Sequence, residues 1–309
     1  MAHILLSLVI VLLSSIANAF HLHEVYQFPN GTWVENIAIR SNGNLLVTFA
    51  STPELWEVIP SAQLGATQAR RLHHFPNAKM ATGIAELEPD VYAVITPNTI
   101  WKVDLNNGIK KTPTRIATLQ PARSLNGMAV LNPDTQTLAI ADSEAGLVWR
   151  LDTKTGNYTV ILRDETMAAN TKEGVLLGIN GLKVHNGHVY YVNSPDRLFC
   201  RIPVNTTTGR ATGPREIISQ GALADDFAIS RHGVGYLAGL TDHVITRVMA
   251  NGTQEVIANS SVLMSATSGA FGRLGGSDVL YITTGGETSH VVNNTSSRGG
   301  KVLALSLEP

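Results

Sequence analysis

Four oxygen-bearing side chains, Glu35, Asn126, Asn180 and Asp226, stand at matching points of a recurring pattern. Each lies just ahead of, or at the start of, an alternating apolar run that turns and is followed by a second such run. The clearest example is "SLNGMAVLNPDTQTLAIADS", Ser124 to Ser143, where Asn-Pro-Asp joins the two runs and Asn126 precedes both. Alternation at period two, bounded by turn residues, predicts paired strands. Two carboxylates and two amide carbonyls form a hard-oxygen set, suited to Ca²⁺ or another divalent cation and not to soft metals. The competing reading is local: Asn-Gly pairs shape turns, and Glu35 and Asp226 cap loops. The first reading requires a fold that brings the four together.

Such a fold is written in the repeats. "VENIAIRSNGNLLVTFAS", "TGIAELEPDVYAVITPN", "INGLKVHNGHVYYVNSPD", "DDFAISRHGVGYLAGLTD" and "TSGAFGRLGGSDVLYITTGG" each resemble the Ser124–Ser143 unit. With Glu35, Gly83, Asn126, Asn180, Asp226 and Ser268 as equivalent points, the spacings are 48, 43, 54, 46 and 42 residues. Strand-rich repeats of that period predict a β-propeller. A third strand follows each pair, as in "LWEVIP", "VWRLDT" and "KVLALSL", and a fourth fits in "TRIATL", "YTVILRD", "REIIS" and "QEVIA". The expectation is an all-β, six-bladed propeller over residues 20–309 as a single domain. Helical patterning is nearly absent, and "DETMAANTKEGVLLG" reads as a long loop. In a propeller the innermost strands converge on a central channel, so the six points meet there. Apolar neighbours of those points, Trp33, Ile37, Met128 and Phe227, are candidate pocket residues together with Ser268, although Met128 equally suits hub packing. Arg273 is expected beyond its strand, away from the pocket.

Residues 1–19, "MAHILLSLVIVLLSSIANA", carry a short apolar run and an Ala-x-Ala cleavage pattern, the marks of a secretory signal peptide. The run is too short to span a bilayer, so no membrane span is expected in the mature chain. N-x-S/T sequons at Asn30, Asn157, Asn205, Asn251, Asn259, Asn293 and Asn294 fit a glycoprotein that is secreted or held in the secretory pathway. Cys200 is the single cysteine, which excludes an intramolecular disulfide; it reads as packing. A net charge of −1 without a basic stripe argues against nucleic acid as a partner. No G-x-S-x-G elbow, HExxH helix or phosphate-cradling glycine loop is present, so no nucleotide or organic cofactor is expected.

The units "NGLKVHNGHVYYVNSPD" and "NGMAVLNPDTQTLAIADS" resemble the family of senescence marker protein 30, gluconolactonases and luciferin-regenerating enzyme, and the likeness covers the mature chain. It implies a divalent ion near the channel mouth held by Glu35, Asn180 and Asp226, with Asn126 beside metal and substrate. The family's Glu-Gly-Pro is Glu35-Asn36-Ile37 here, and Asp226 is followed by Phe227 instead of Gly. Within that family, "ENIAIRSNGNLLVT" and "TSGAFGR…LYITTGG" lean toward secreted fungal proteins that include the hetero-Diels-Alderases of tropolone–sesquiterpenoid pathways. This resemblance implies an enzyme that joins a tropolone-type o-quinone methide to a humulene-type alkene, with small apolar substrates and with Asn126 and Asp226 as catalytic candidates. A metal-dependent lactonase is the alternative. A non-enzymatic secreted binding propeller is the third reading.

Overall fold

The computed structural model describes residues 20–63, 65–106, 112–172, 174–273, 279–287 and 298–307. The expected signal peptide and the sequons at Asn293 and Asn294 lie outside them. Strand β1 (His21–Gln27) comes first but belongs to the last blade. Blade one is β2 (Val34–Ile39), β3 (Leu45–Phe49), β4 (Glu54–Ile59) and β5 (Gln68–His74). Blade two is β6 (Ile84–Glu88), β7 (Val91–Thr96), β8 (Thr99–Asp104) and β9 (Thr114–Thr118). Blade three is β10 (Leu125–Asn132), β11 (Thr137–Asp142), β12 (Leu147–Asp152) and β13 (Tyr158–Arg163). Blade four is β14 (Ile179–His185), β15 (His188–Asn193), β16 (Leu198–Pro203) and β17 (Glu216–Gln220). Blade five is β18 (Phe227–Ile229), β19 (Gly235–Ala238), β20 (Val244–Val248) and β21 (Gln254–Asn259). Blade six is β22 (Ala266–Phe271), β23 (Val279–Thr284), β24 (Lys301–Ser306) and, outermost, β1. Six four-stranded antiparallel sheets in a ring make the expected six-bladed propeller.

The second strand of a blade is covered on both faces by neighbouring blades. β3, β7 and β11 are accordingly buried at every position, whereas the outer strand β13 has a single buried position, Leu162. The core lies between blades. Leu131, Ala139 and Val148 of blade three pack against Ile179, Leu182 and Tyr191 of blade four. The predicted Asn186-Gly187 turn joins β14 to β15 with φ of 45° and 71°, the left-handed pair a two-residue hairpin needs. The inner strands meet closely: a Cβ at Gly127 would lie 2.5 Å from the Asn180 carbonyl oxygen.

The sixth blade lacked a fourth strand in the sequence, and β1 supplies it. His21 pairs with Ser306 and Gln27 with Lys301, so the start of the described chain zips onto its end. Phe28 follows β1 inward and packs edge-on to Phe49 and Trp56 of blade one, tying blades six and one. The segment read as a loop after β13 holds one turn of 3₁₀ helix, Glu165–Met167, capped by Asp164. Cys200 is buried, and burial pushes its thiol up to about 11, consistent with packing and not with nucleophilic chemistry. Among the described residues no helix is long and apolar enough to cross a membrane.

Candidate functional site in the central channel

The six inner strands start at one end of the channel and turn into their hairpins at the other. At the strand-start end, Asn180 is buried and donates from Nδ2 to Asp225 Oδ1 at 2.5 Å and to Ser194 Oγ at 3.0 Å. Ser194 is fixed in turn by donating to the Ala224 carbonyl. Glu35 Oε2 accepts the indole N–H of Trp33 at 2.9 Å. Burial pushes the Glu35 carboxyl up to about 7 against that hydrogen bond, and the Asp226 charge adds to the rise. Asp225 is held well above the usual carboxylate range by burial first, then by the charges of Glu35 and Asp226. Asn126 is half-buried at this end, and among the described residues its side chain has no hydrogen-bond partner.

A raised carboxyl pKa fixes a pH dependence. The folded protein keeps the Glu35 proton to about pH 7, whereas the unfolded chain loses it near 4.5. The unfolded state therefore binds fewer protons in that window, and stability falls as pH rises from about 4.5 to 7, then levels. The displacement corresponds to on the order of 3 kcal/mol for a buried group. Glu35→Gln should flatten part of this fall in urea denaturation at pH 5 and pH 8 in EDTA buffer. Equal losses for the variant and the parent would show that ionising Glu35 has no cost.

Asp226 points the other way. Its side chain takes the Lys183 ammonium at 2.7 Å and 2.6 Å, one contact to each oxygen. It also accepts from Ser268 Oγ at 2.8 Å, Asn36 Nδ2 at 3.2 Å and the Phe227 amide at 2.8 Å. Below this group, toward the hairpins, opens a cavity of about 290 Å³. Ile37, Ile84, Met128, Ile229 and Phe271 supply apolar wall, with Asn36 and Lys183 among its polar lining. Arg273 and Glu86 also line it and form an ion pair with each other.

Of the expected residues, Glu35 and Asn180 come together at the strand-start end, and the acid that joins them is Asp225, not Asp226. Asp225 and Asp226 precede β18 and their carboxylates take different partners, Asn180 and Lys183, so a one-residue slip in assignment moves the acid to the other group. Ile37 and Met128 line the hairpin-end cavity as candidates for a pocket. Phe227 does not; it is fully buried and packs edge-on to Phe199 between blades. Trp33 holds Glu35, and Ser268 holds Asp226. Arg273 lies beyond its strand as expected, but it lines the cavity instead of standing clear of it. Asp225, Lys183 and Asn36 escaped sequence reasoning. The Asp-Asp pair was the one available signal, since it offers a carboxylate to each of the two groups.

For a divalent cation the donors are the Asn180 amide oxygen and the Glu35 and Asp225 carboxylates. Among the described residues no three carboxylate, imidazole or thiolate side chains converge into a metal-holding group. The set depends on the Asn180 oxygen as its third donor. It fits a hard cation, because two buried acids repelling each other's charge are eased by a positive ion.

No protein-family model matches the chain. In sequence it is 28% identical over 309 aligned positions to a protein of Sarocladium schorii named as a candidate hetero-Diels-Alderase, covering 84% of this chain and 77% of that one. A second protein with that designation, from a Phoma species, is 28% identical over 304 positions, covering 84% and 85%. In structure the chain resembles regucalcin, a calcium-binding protein of Agrobacterium tumefaciens, with a TM-score of 0.69, 16% identity and coverage of 94% and 95%. A gluconolactonase of Xanthomonas campestris gives 0.68, 14%, and 95% and 91%. The fold is that of the regucalcin and gluconolactonase propellers. In sequence this regucalcin-like propeller resembles proteins named for hetero-Diels-Alder chemistry.

Proposed function

We propose that the protein is a pericyclase of the hetero-Diels-Alderase type, joining an o-quinone methide of tropolone type to a humulene-type alkene within its channel. The sequence likeness to two such proteins across 84% of the chain carries this reading. The site supports it physically. A cycloaddition forms one carbon–carbon and one carbon–oxygen bond with no atom lost, so it needs facing geometry and a polarising donor, not a nucleophile. Glu35, whose carboxyl holds its proton to about pH 7, protonates the departing hydroxyl of an alcohol precursor. Water leaves, and the ring hydroxyl returns its proton to the Glu35 carboxylate, giving the quinone methide. The Asn126 amide then donates to the diene oxygen. Asp226, committed to Lys183, acts as a positioning group.

A divalent ion bound by Glu35, Asp225 and Asn180 would replace the Glu35 proton and polarise a substrate oxygen in its stead, which is the chemistry of a different reading. That oxygen set also favours the second reading, a metal-dependent lactonase. The proposal includes secretion as a glycoprotein. Residues 1–19 support the first, and the exposed asparagines Asn30, Asn157, Asn205, Asn251 and Asn259 support the second.

The deciding assay uses purified protein with humulene and a tropolone-type alcohol precursor, with EDTA or Ca²⁺, beside aldonolactones. A stereochemically single cycloadduct is expected. Glu35→Gln should slow turnover of the alcohol by about a hundredfold and leave a pre-generated quinone methide little affected. Metal-dependent lactone hydrolysis without cycloadduct would overturn the reading.

A further inference from the structure

The hairpin-end cavity is separate from the acid cluster at the strand-start end, and its polar floor is unusual. A buried ion pair is seldom needed for stability, because an apolar pair of the same volume serves as well or better. Here Asp226, with a side chain only 5% exposed, takes the Lys183 ammonium on both carboxylate oxygens. Ser268, Asn36 and the Phe227 amide fix the carboxylate from the other sides, and the Phe227 ring lies 5.5 Å from the ammonium. An ammonium has three N–H groups. Two go to Asp226, and among the described residues no other acceptor takes the third, while Lys183 lines the cavity.

Charge and size narrow the ligand. Lys183 is balanced by Asp226 and Arg273 by Glu86, so the lining carries no net charge. An anion would bring a charge that the balanced lining does not compensate. A neutral acceptor oxygen takes the free N–H without one. At about 290 Å³ the cavity stands at the lower edge of the range for ligand pockets, about 300–1,000 Å³, and so holds one small molecule.

We propose that the hairpin end of the channel is a second binding site, taking one small, neutral, largely apolar molecule whose carbonyl-type oxygen accepts a hydrogen bond from Lys183. The site stands independently of the cycloaddition. It binds whether or not the strand-start end catalyses.

The test uses protein labelled with ¹³C-methyl methionine and three probes of similar size: acetophenone, ethylbenzene and benzoate. Met128 lines the cavity, and Met249, 41% exposed on blade five, is the outside control. Acetophenone should shift the Met128 methyl saturably, leave Met249 in place, and bind about tenfold or more tightly than ethylbenzene, the margin of a hydrogen bond from a charged donor. In the double variant Lys183→Met with Asp226→Leu, which leaves no unpaired buried charge, acetophenone should fall to the affinity of ethylbenzene. An unmoved Met128 methyl, equal binding of ketone and hydrocarbon to the parent protein, or tighter binding of benzoate would each overturn the proposal. The comparison on the parent protein decides the matter even if the double variant does not fold.

Discussion

Asp226→Ala should destabilise the protein by about 3 kcal/mol or more, among the largest losses available to a single substitution in the channel. The cost arises from what remains. Lys183, with 22% of its side chain exposed, would lose both hydrogen bonds and its partner charge. Ser268, Asn36 and the Phe227 amide would lose their shared acceptor as well. Replacing both ends of the pair, Lys183→Met with Asp226→Leu, should return the part of the loss that comes from the stranded charge, while Ser268, Asn36 and the Phe227 amide stay without their acceptor. Urea denaturation of the single and double variants measures this. A single variant within 1 kcal/mol of the parent, or a double variant no better than the single, would contradict this account of Asp226.

The second large effect is at the ring closure. Deleting His21–Gln27 removes the outer strand of blade six and exposes the edge of β24 along its pairing from Lys301 to Ser306. Backbone hydrogen bonds contribute about 0.5–1.5 kcal/mol each, so the ladder alone is worth several kcal/mol. The anchoring of Phe28 against Phe49 and Trp56 weakens with it. The truncated chain should lose its cooperative calorimetric transition. Moving the same segment to follow Leu307 should restore that transition, since His21 already lies opposite Ser306. An unchanged transition after deletion would show that the ring does not depend on this strand.

Much of the architecture was legible because period-two alternation and turn residues are local signals. Asn-Gly at Asn186-Gly187 and the evenly spaced units were enough to predict six blades. β1 was not legible as a sixth-blade strand. "HLHEVYQ" alternates like any edge strand, and its partner lies almost a full chain length away. The candidate cluster in the channel was legible only as a level. Repeat alignment found the level of the channel at which Glu35, Asn180 and the Asp225-Asp226 pair meet. It could not tell which aspartate faces which end, because that depends on the local backbone ahead of β18, not on spacing. Lys183 was invisible for a different reason: a lysine in a strand reads as solvent-facing until the other five blades are known to line the same cavity.

The pairing of β1 with β24 also sets an order of events in time. Strand β1 must wait, unpaired, until β24 has been synthesised. Contacts between such distant segments form late and slowly, and an open edge meanwhile invites the wrong partner. The exposed positions of β1 include His21, His23 and Glu24, polar residues of the sort that discourage intermolecular pairing. The slowest folding phase of this protein should therefore be closure of the ring, and it should speed up when the first strand is moved next to the last.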